Sequence, residues 1–179
     1  MSVVGYVLAS DDRLLDRVLE WQPPAWVRAW MLAATRLGDC WLWLGIAALL
    51  AACGRRGLQV LAAGVVSAAF ANALLVLVKR RVRRPRPCER ARTRGFDTGS
   101  LAWVACDRFS FPSGHALNAF AIGTVIALAY PAASLPTLAV AASVAVSRVV
   151  LGLHWLSDVL AGSLAGLLIG CLVFFALLR

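Results

Sequence analysis

Charge is scarce in this 179-residue chain: Asp, Glu, Lys and Arg make up 15% of it, against 61% hydrophobic residues. That balance excludes a disordered chain and an ordinary water-soluble domain. Acidic residues are scarcer still, nine against 18 Lys and Arg, and the formal net charge of +9 points to anionic partners. Histidine occurs only twice, at His115 and His154. The five cysteines (Cys40, Cys53, Cys88, Cys106 and Cys171) form no CxxC and no Cys/His metal spacing, which argues against a structural zinc site. No internal repeat and no low-complexity tract is evident. A basic start before an apolar run, the mark of a cleaved signal peptide, is also missing, because Asp11, Asp12 and Asp16 follow a short apolar opening. The N-terminus is therefore expected to be retained.

What the chain has in abundance is apolar sequence, with a mean hydropathy of +0.78. A membrane-crossing helix needs roughly 20 mostly apolar residues. Leu37 to Cys53, Leu58 to Val78, Gly114 to Tyr130 and Trp155 to Leu178 fit that requirement, and Ala132 to Val150 is a fifth candidate with Pro136 near its start. In the first 36 residues Leu8, Leu14, Leu15, Val18 and Leu19 recur at helical spacing, with Asp11, Asp12, Arg13, Asp16, Arg17 and Glu20 on the opposite face. This predicts an amphipathic interfacial helix, supported by Trp21, Trp26 and Trp30. Ala25 to Thr35 offers a short sixth crossing, opposed by Arg28 and Arg36. The expected fold is all-α, a polytopic membrane helical bundle with five or six spanning helices. Residues 1–36 form its N-terminal interfacial segment and 37–179 its membrane-embedded domain.

Nine of the 18 cations (Lys79, Arg80, Arg81, Arg83, Arg84, Arg86, Arg90, Arg92 and Arg94) fall within one sixteen-residue stretch. It opens the long connection from Lys79 to Pro112, whose Phe96, Trp103, Phe109 and Phe111 suggest an ordered loop in contact with the membrane. The helix pair Gly114 to Tyr130 and Ala132 to Val150 leaves one membrane face and returns to it. The 79–113 loop and the 148–158 segment therefore share a side, opposite Arg55 and Arg56.

Three groups of residues meet on that side. Lys79 and, after six residues, Arg86-Pro87 combine a point charge with a forked guanidinium, two complementary ways to hold phosphate oxygens. Alone they fit a juxtamembrane basic cluster equally well, and Arg84-Pro85 offers a second register. Pro112-Ser113-Gly114-His115 precedes an apolar helix; Ser113 is a natural N-cap, and free N–H groups at a helix start bind anions. Read alone, this is simply a capped helix with a histidine at the interface. Ser147-Arg148, then His154, then Asp158 place an imidazole one helical turn from a carboxylate, which can hold one ring nitrogen and leave the other as a nucleophile. The bland alternative is a polar pair marking the membrane boundary.

Taken in order, K-x6-R-P, P-S-G-H and S-R-x5-H-x3-D closely resemble the motifs of the type 2 phosphatidic acid phosphatase superfamily, with every defined position present between residues 79 and 158. The resemblance implies an integral-membrane lipid phosphatase acting on phosphatidic acid, phosphatidylglycerol phosphate or a polyprenyl diphosphate through a phosphohistidine. By that resemblance His154 is the nucleophile, Asp158 its orienting partner and His115 the general acid. Lys79, Arg86, Ser113, Gly114 and Arg148 would bind the phosphoryl group. No metal and no cofactor is implied, and the expected partners are a lipid phosphate and the bilayer, not nucleic acid. The resemblance also implies a bacterial inner membrane with the active site facing the periplasm or exterior. A plain count of basic residues puts the 79–113 loop in the cytoplasm instead. In an oxidising compartment Cys88 and Cys106 could pair across the loop. Two rivals remain at this stage: a lipid phosphotransferase with the same covalent intermediate, and a non-catalytic protein that binds anionic lipid or nucleic acid through its arginines.

Overall fold

The computed structural model describes residues 2–21, 23–89 and 108–179, and its long elements are all helical. They are α1 (Val3–Glu20), α2 (Ala25–Leu37), α3 (Cys40–Ala52), α4 (Gly54–Val82), α5 (Gly114–Ala129), α6 (Ser134–Val150) and α7 (Leu156–Leu177), with a 3-10 turn at Pro131–Ala133 leading into α6. Ser2 starts α1 by accepting the Gly5 N–H on its hydroxyl at 3.2 Å. α4 stops at Val82 because Pro85 and Pro87 cannot continue a helix and Arg83 turns into the left-handed region, at φ 49°.

Three stretches, built on α4, on the 3-10 turn with α6, and on α7, are long and apolar enough to cross a bilayer. A fourth crossing results if α2 and α3, bent by 57° to each other, act as one span. The fifth apolar helix, α5, has 16 residues and falls short by length. Among the described residues, length and hydropathy alone mark three or four crossings, and this count does not confirm the five or six expected. The difference arises because α2 and α3 share one broken path and α5 is short.

α5 lies at the centre and packs against α4, α6 and α7. Its composition explains this position: Ala116, Leu117, Ala119, Ala121, Gly123 and Val125 are buried around its whole circumference. A helix that is apolar on every side belongs inside a bundle. α7 divides its faces by size. Leu160, Leu164, Leu168 and Leu172 recur every fourth residue and point outward, each 57–70% exposed. Gly162, Gly166 and Gly170 recur at the same interval on the buried side. A Cβ at those three positions would lie 2.6, 2.4 and 2.6 Å from the carbonyl oxygens of Ser113, Leu117 and Ala121. The two backbones are therefore in direct contact, the small-residue packing that membrane helices use when lipid offers no hydrophobic drive for association. This contact fixes the start of α5 against the start of α7, and the candidate site sits there.

Candidate active site

A cavity of about 620 Å³ opens among α3, α4 and α5. Lys79, Arg86, Gly114, His115, Arg148 and His154 line one end, and from there an apolar trench descends past Leu75, Gly64 and Leu61 of α4, Ile122 and Ile126 of α5, and Trp43, Ala47 and Leu50 of α3. The stretch of α4 from Lys79 to Val60 spans about 28 Å at 1.5 Å per residue, close to the thickness of a bilayer core. Six of the eight residues singled out from sequence thus face one space. The other two, Ser113 and Asp158, are fully buried and outside its lining.

His154 lies in the turn between α6 and α7, not on a helix, and is 2% exposed. Gly152, at φ 64°, reverses the chain there, and the N–H groups of Leu153 and His154 both donate to the Arg148 carbonyl, each at 3.0 Å. This turn holds Arg148 and His154 side by side. Arg86 Nη1 donates to the Leu153 carbonyl at 2.9 Å and lies 3.2 Å from His154 Nε2. A guanidinium can only donate, so Nε2 presents its lone pair and the ring proton sits on Nδ1. Burial lowers the His154 pKa to about 4, with Arg86 and Arg148 acting in the same direction and Asp158 opposing them. The ring is neutral at ordinary pH, as a nucleophile requires.

Asp158 stands 3.7 Å from His154 Nδ1, too far for a hydrogen bond but close enough for electrostatic pairing. The expectation that both residues lie one turn apart on a helix is corrected, because His154 precedes α7. The carboxylate has two closer partners. Its Oδ2 caps α7 by accepting the Trp155 N–H at 3.0 Å, and its Oδ1 accepts from Arg84 Nη1 at 2.7 Å. Arg84 in turn donates to Asp11 Oδ2 at 2.8 Å, and Asp11 Oδ1 accepts the Ser157 N–H at 3.1 Å. Asp11 is 4% exposed and therefore does not belong to the solvated face of α1 assigned from sequence. An outward-facing carboxylate pattern hid an inward-facing ion pair, since periodicity alone cannot tell which polar residue has a partner.

The register question left by Arg84-Pro85-Arg86-Pro87 also resolves. Arg84 reaches the Asp11–Asp158 pair and Arg86 reaches His154. Arg84 is consequently not a spare cation for a diphosphate or for anionic lipid. The segment is clamped: Ser110 N donates to the Arg84 carbonyl at 2.8 Å and Trp155 Nε1 to the Pro85 carbonyl at 3.0 Å.

Arg148, 1% exposed, donates through Nη1 to Thr35 Oγ1 of α2, so the N-terminal segment also contributes to the site. Ser113 occupies the N-cap position of α5, yet its hydroxyl makes no capping bond. Its N–H donates to the Asp158 carbonyl at 3.0 Å, while the buried Oγ has no hydrogen-bond partner among the described residues. Gly114 sits close to α4, where a Cβ would lie 2.9 Å from Leu75 Cδ2. His115 Nε2 is 3.0 Å from Asp39 Oδ1. A carboxylate only accepts, so that nitrogen carries a proton. Asp39, at the bend between α2 and α3, was not singled out from sequence; it is the lone acidic residue between Glu20 and Glu89, a signal available there.

Arg90, Arg92, Arg94, Phe96, Trp103 and Cys106 lie outside the described residues, and with them the expectations of an ordered loop and of a Cys88–Cys106 bond.

Comparison with known proteins decides the family. A family model described as the PAP2 superfamily matches residues 59–178. The chain belongs to the PAP2 superfamily. Within it, the chain is 37% identical over 156 residues to the decaprenylphosphoryl-5-phosphoribose phosphatase of Mycobacterium tuberculosis, covering 82% of this chain and 80% of the relative. It is 42% identical over 77 residues to phosphatidylglycerophosphatase B of Bacillus subtilis, covering 36% of this chain and 37% of the relative. Over 65 residues it is 43% identical to a lipid A 1-phosphatase of Porphyromonas gingivalis, covering 34% of this chain and 15% of that protein. The crystal structure of a transmembrane PAP2-type phosphatidylglycerolphosphate phosphatase from Bacillus subtilis superposes with a TM-score of 0.73 at 24% identity, covering 97% of this chain and 88% of that one. That superposition establishes the PAP2 membrane fold here. The PAP2 match begins in α4, so Asp11, Thr35 and Asp39 lie ahead of it.

Proposed function

We propose that this PAP2 member is an integral-membrane lipid phosphatase that cleaves a phosphomonoester or diphosphate of a lipid through a phosphohistidine at His154. The observation that carries this reading is the lone pair of His154 Nε2, held 3.2 Å from Arg86 in a cavity that Lys79 and Arg148 share. An arriving phosphoryl group takes over the Arg86 N–H, which frees the lone pair to attack phosphorus. The phosphorus–oxygen bond to the lipid breaks, its electron pair passes to the leaving oxygen, and His115 supplies the proton. Water then attacks phosphorus and gives a proton back to His115, and the nitrogen–phosphorus bond returns its electrons to Nε2. Lys79, Arg86 and Arg148 stabilise charge on the equatorial oxygens, with the Ser113 hydroxyl and the Gly114 N–H at the start of α5. Asp158 stabilises the imidazolium that forms on phosphorylation.

The test is a phosphate-release panel over lipid phosphates with purified protein, combined with acid and base treatment of the enzyme after brief exposure to a radiolabelled substrate. The label is expected to survive base, to be lost in acid and to map to His154. A base-labile ester on Ser113, or no covalent label with turnover intact, would remove the histidine mechanism. The substrates named for the relatives suggest lipids whose phosphate is carried on a polar head, such as a phosphoribosyl or glycerophosphate group.

Asp39 is a positioning residue in this scheme, since it acts by keeping a proton on His115. Asp39→Asn is expected to lower kcat by about 10- to 100-fold for an alkyl phosphate, whose leaving oxygen needs a proton. For nitrophenyl phosphate, whose leaving group needs none, the loss should stay within about threefold. Equal losses on both substrates would assign Asp39 a structural role only.

We further propose that the His154 end faces the periplasm or exterior of a bacterial inner membrane. Cys53, exposed between α3 and α4, and Cys88, after α4, lie at opposite ends of α4. In cells expressing single-cysteine variants, an impermeant thiol reagent is expected to label Cys88 and not Cys53. The reverse pattern would place the site in the cytoplasm.

A further inference from the structure

Two asparagines line the cavity just below the cationic end, Asn72 on α4 and Asn118 on α5. Their side chains pair reciprocally, with Asn72 Nδ2 donating to Asn118 Oδ1 and Asn118 Nδ2 donating to Asn72 Oδ1, each at 3.2 Å. Each Nδ2 also donates to the carbonyl four residues earlier, Ala68 at 2.8 Å and Gly114 at 3.1 Å. Those carbonyls can only accept, so they fix which end of each amide is nitrogen. Both protons of each Nδ2 are then committed, while each Oδ1 accepts one N–H and keeps a second lone pair. The pair is a surface that can accept further hydrogen bonds but has none left to give.

Its height in the cavity gives it a use. Asn118 follows His115 by three residues and so lies on the same helix face about 4.5 Å further down. In the proposed reaction His115 meets the leaving oxygen, so the atoms directly behind that oxygen come level with Asn118. We infer that the Asn72–Asn118 pair selects lipid phosphates that bear a hydroxyl on the carbon next to the phosphate-bearing carbon. Such a group, found on the glycerol head of a glycerophosphate, donates to a free Oδ1 lone pair. An ester or ether oxygen at the same place cannot, because the amide protons are spent. The selected class is therefore lipids ending in an open-chain polyol phosphate such as glycerophosphate, in preference to simple prenyl phosphates, diacylated glycerol phosphate or a furanose 5-phosphate, whose neighbouring carbon carries the ring oxygen. This inference rests on the phosphatase reading of the same cavity.

The test compares three substrates of one chain length: 1-acylglycerol 3-phosphate, its 2-deoxy analogue and its 2-O-methyl ether, assayed for phosphate release in detergent micelles. The wild-type protein is expected to favour the hydroxyl substrate by about tenfold in kcat/KM, with the methyl ether no better than the deoxy compound. Asn72→Leu and Asn118→Leu are each expected to erase that preference, lowering kcat/KM for the hydroxyl substrate about tenfold and leaving the deoxy substrate within about threefold. Three results would overturn the inference: no preference in the wild type, a methyl ether as good as the hydroxyl, or variants that lose activity equally on all substrates. The last would reduce the pair to interhelical polar packing. The wild-type comparison needs no variant to fold. Inactivity of the wild type on all three, with phosphate release from another lipid phosphate intact, would overturn this inference alone; inactivity on every lipid phosphate of the panel would fell the phosphatase reading and this inference with it.

Discussion

His154→Ala is expected to lower phosphate release from a lipid phosphate by at least about 10⁴-fold while the protein still folds and binds its substrate. The expected size follows from what the ring does. Nε2 is the atom proposed to form the covalent bond, and no second histidine can replace it, because His115 is engaged at Asp39 and is proposed to serve the leaving oxygen. Arg86 would lose one acceptor but keep the Leu153 carbonyl, so the cradle itself should survive. Retained binding of a lipid phosphate, read by its protection against heat unfolding, separates loss of chemistry from loss of structure. A variant with activity within tenfold of wild type would exclude histidine as the nucleophile. A variant that no longer binds would return the arginine cluster and His154 to a purely structural account.

Gly166→Val is expected to act through the bundle rather than through the chemistry, and nearly as severely. Its first added atom would stand 2.4 Å from the Leu117 carbonyl and 2.9 Å from Phe120 Cβ. Backbone in the middle of a buried helix cannot give way as a side-chain tip can. Overpacking commonly costs about 1–3 kcal/mol, and for a chain of this length roughly 3 kcal/mol lowers the melting temperature by about 6–12 °C. Activity should fall further than stability, because α7 carries Asp158 and α5 carries Ser113 and His115, and the glycine stripe sets their separation. Gly45→Ala on α3 is the control: an added Cβ there meets nothing within 4 Å, and melting is expected to hold or rise slightly. If both variants melt alike, the α5–α7 contact is not what holds the two halves of the site together.

The stripe also shows where reading the sequence stopped short. Gly162, Gly166 and Gly170 stand at four-residue intervals in plain view, but their meaning depends on which helix they face, and that helix is 40 or more residues away in the chain. The Leu160 to Leu172 stripe on the other face was equally visible as hydropathy and equally silent about direction, since lipid and protein interior are both apolar. For the same reason hydropathy marks apolar segments without telling a helix buried in the bundle, such as α5, from one that meets lipid.

By itself the sequence determined that the chain is a membrane-embedded helical protein and pointed to seven polar residues, from Lys79 to Asp158, on one side, because long apolar runs admit few folds in a bilayer and helix parity assigns each loop to a face. Tertiary structure alone decided the partners. Arg84 rather than a ring proton meets Asp158 at hydrogen-bond distance; Asp11 and Thr35 come from the first 36 residues to hold Arg84 and Arg148; Asp39 pairs with His115. Those choices rest on where a buried charge finds its counter-charge, and burial is a property of the packed bundle that no spacing along the chain encodes.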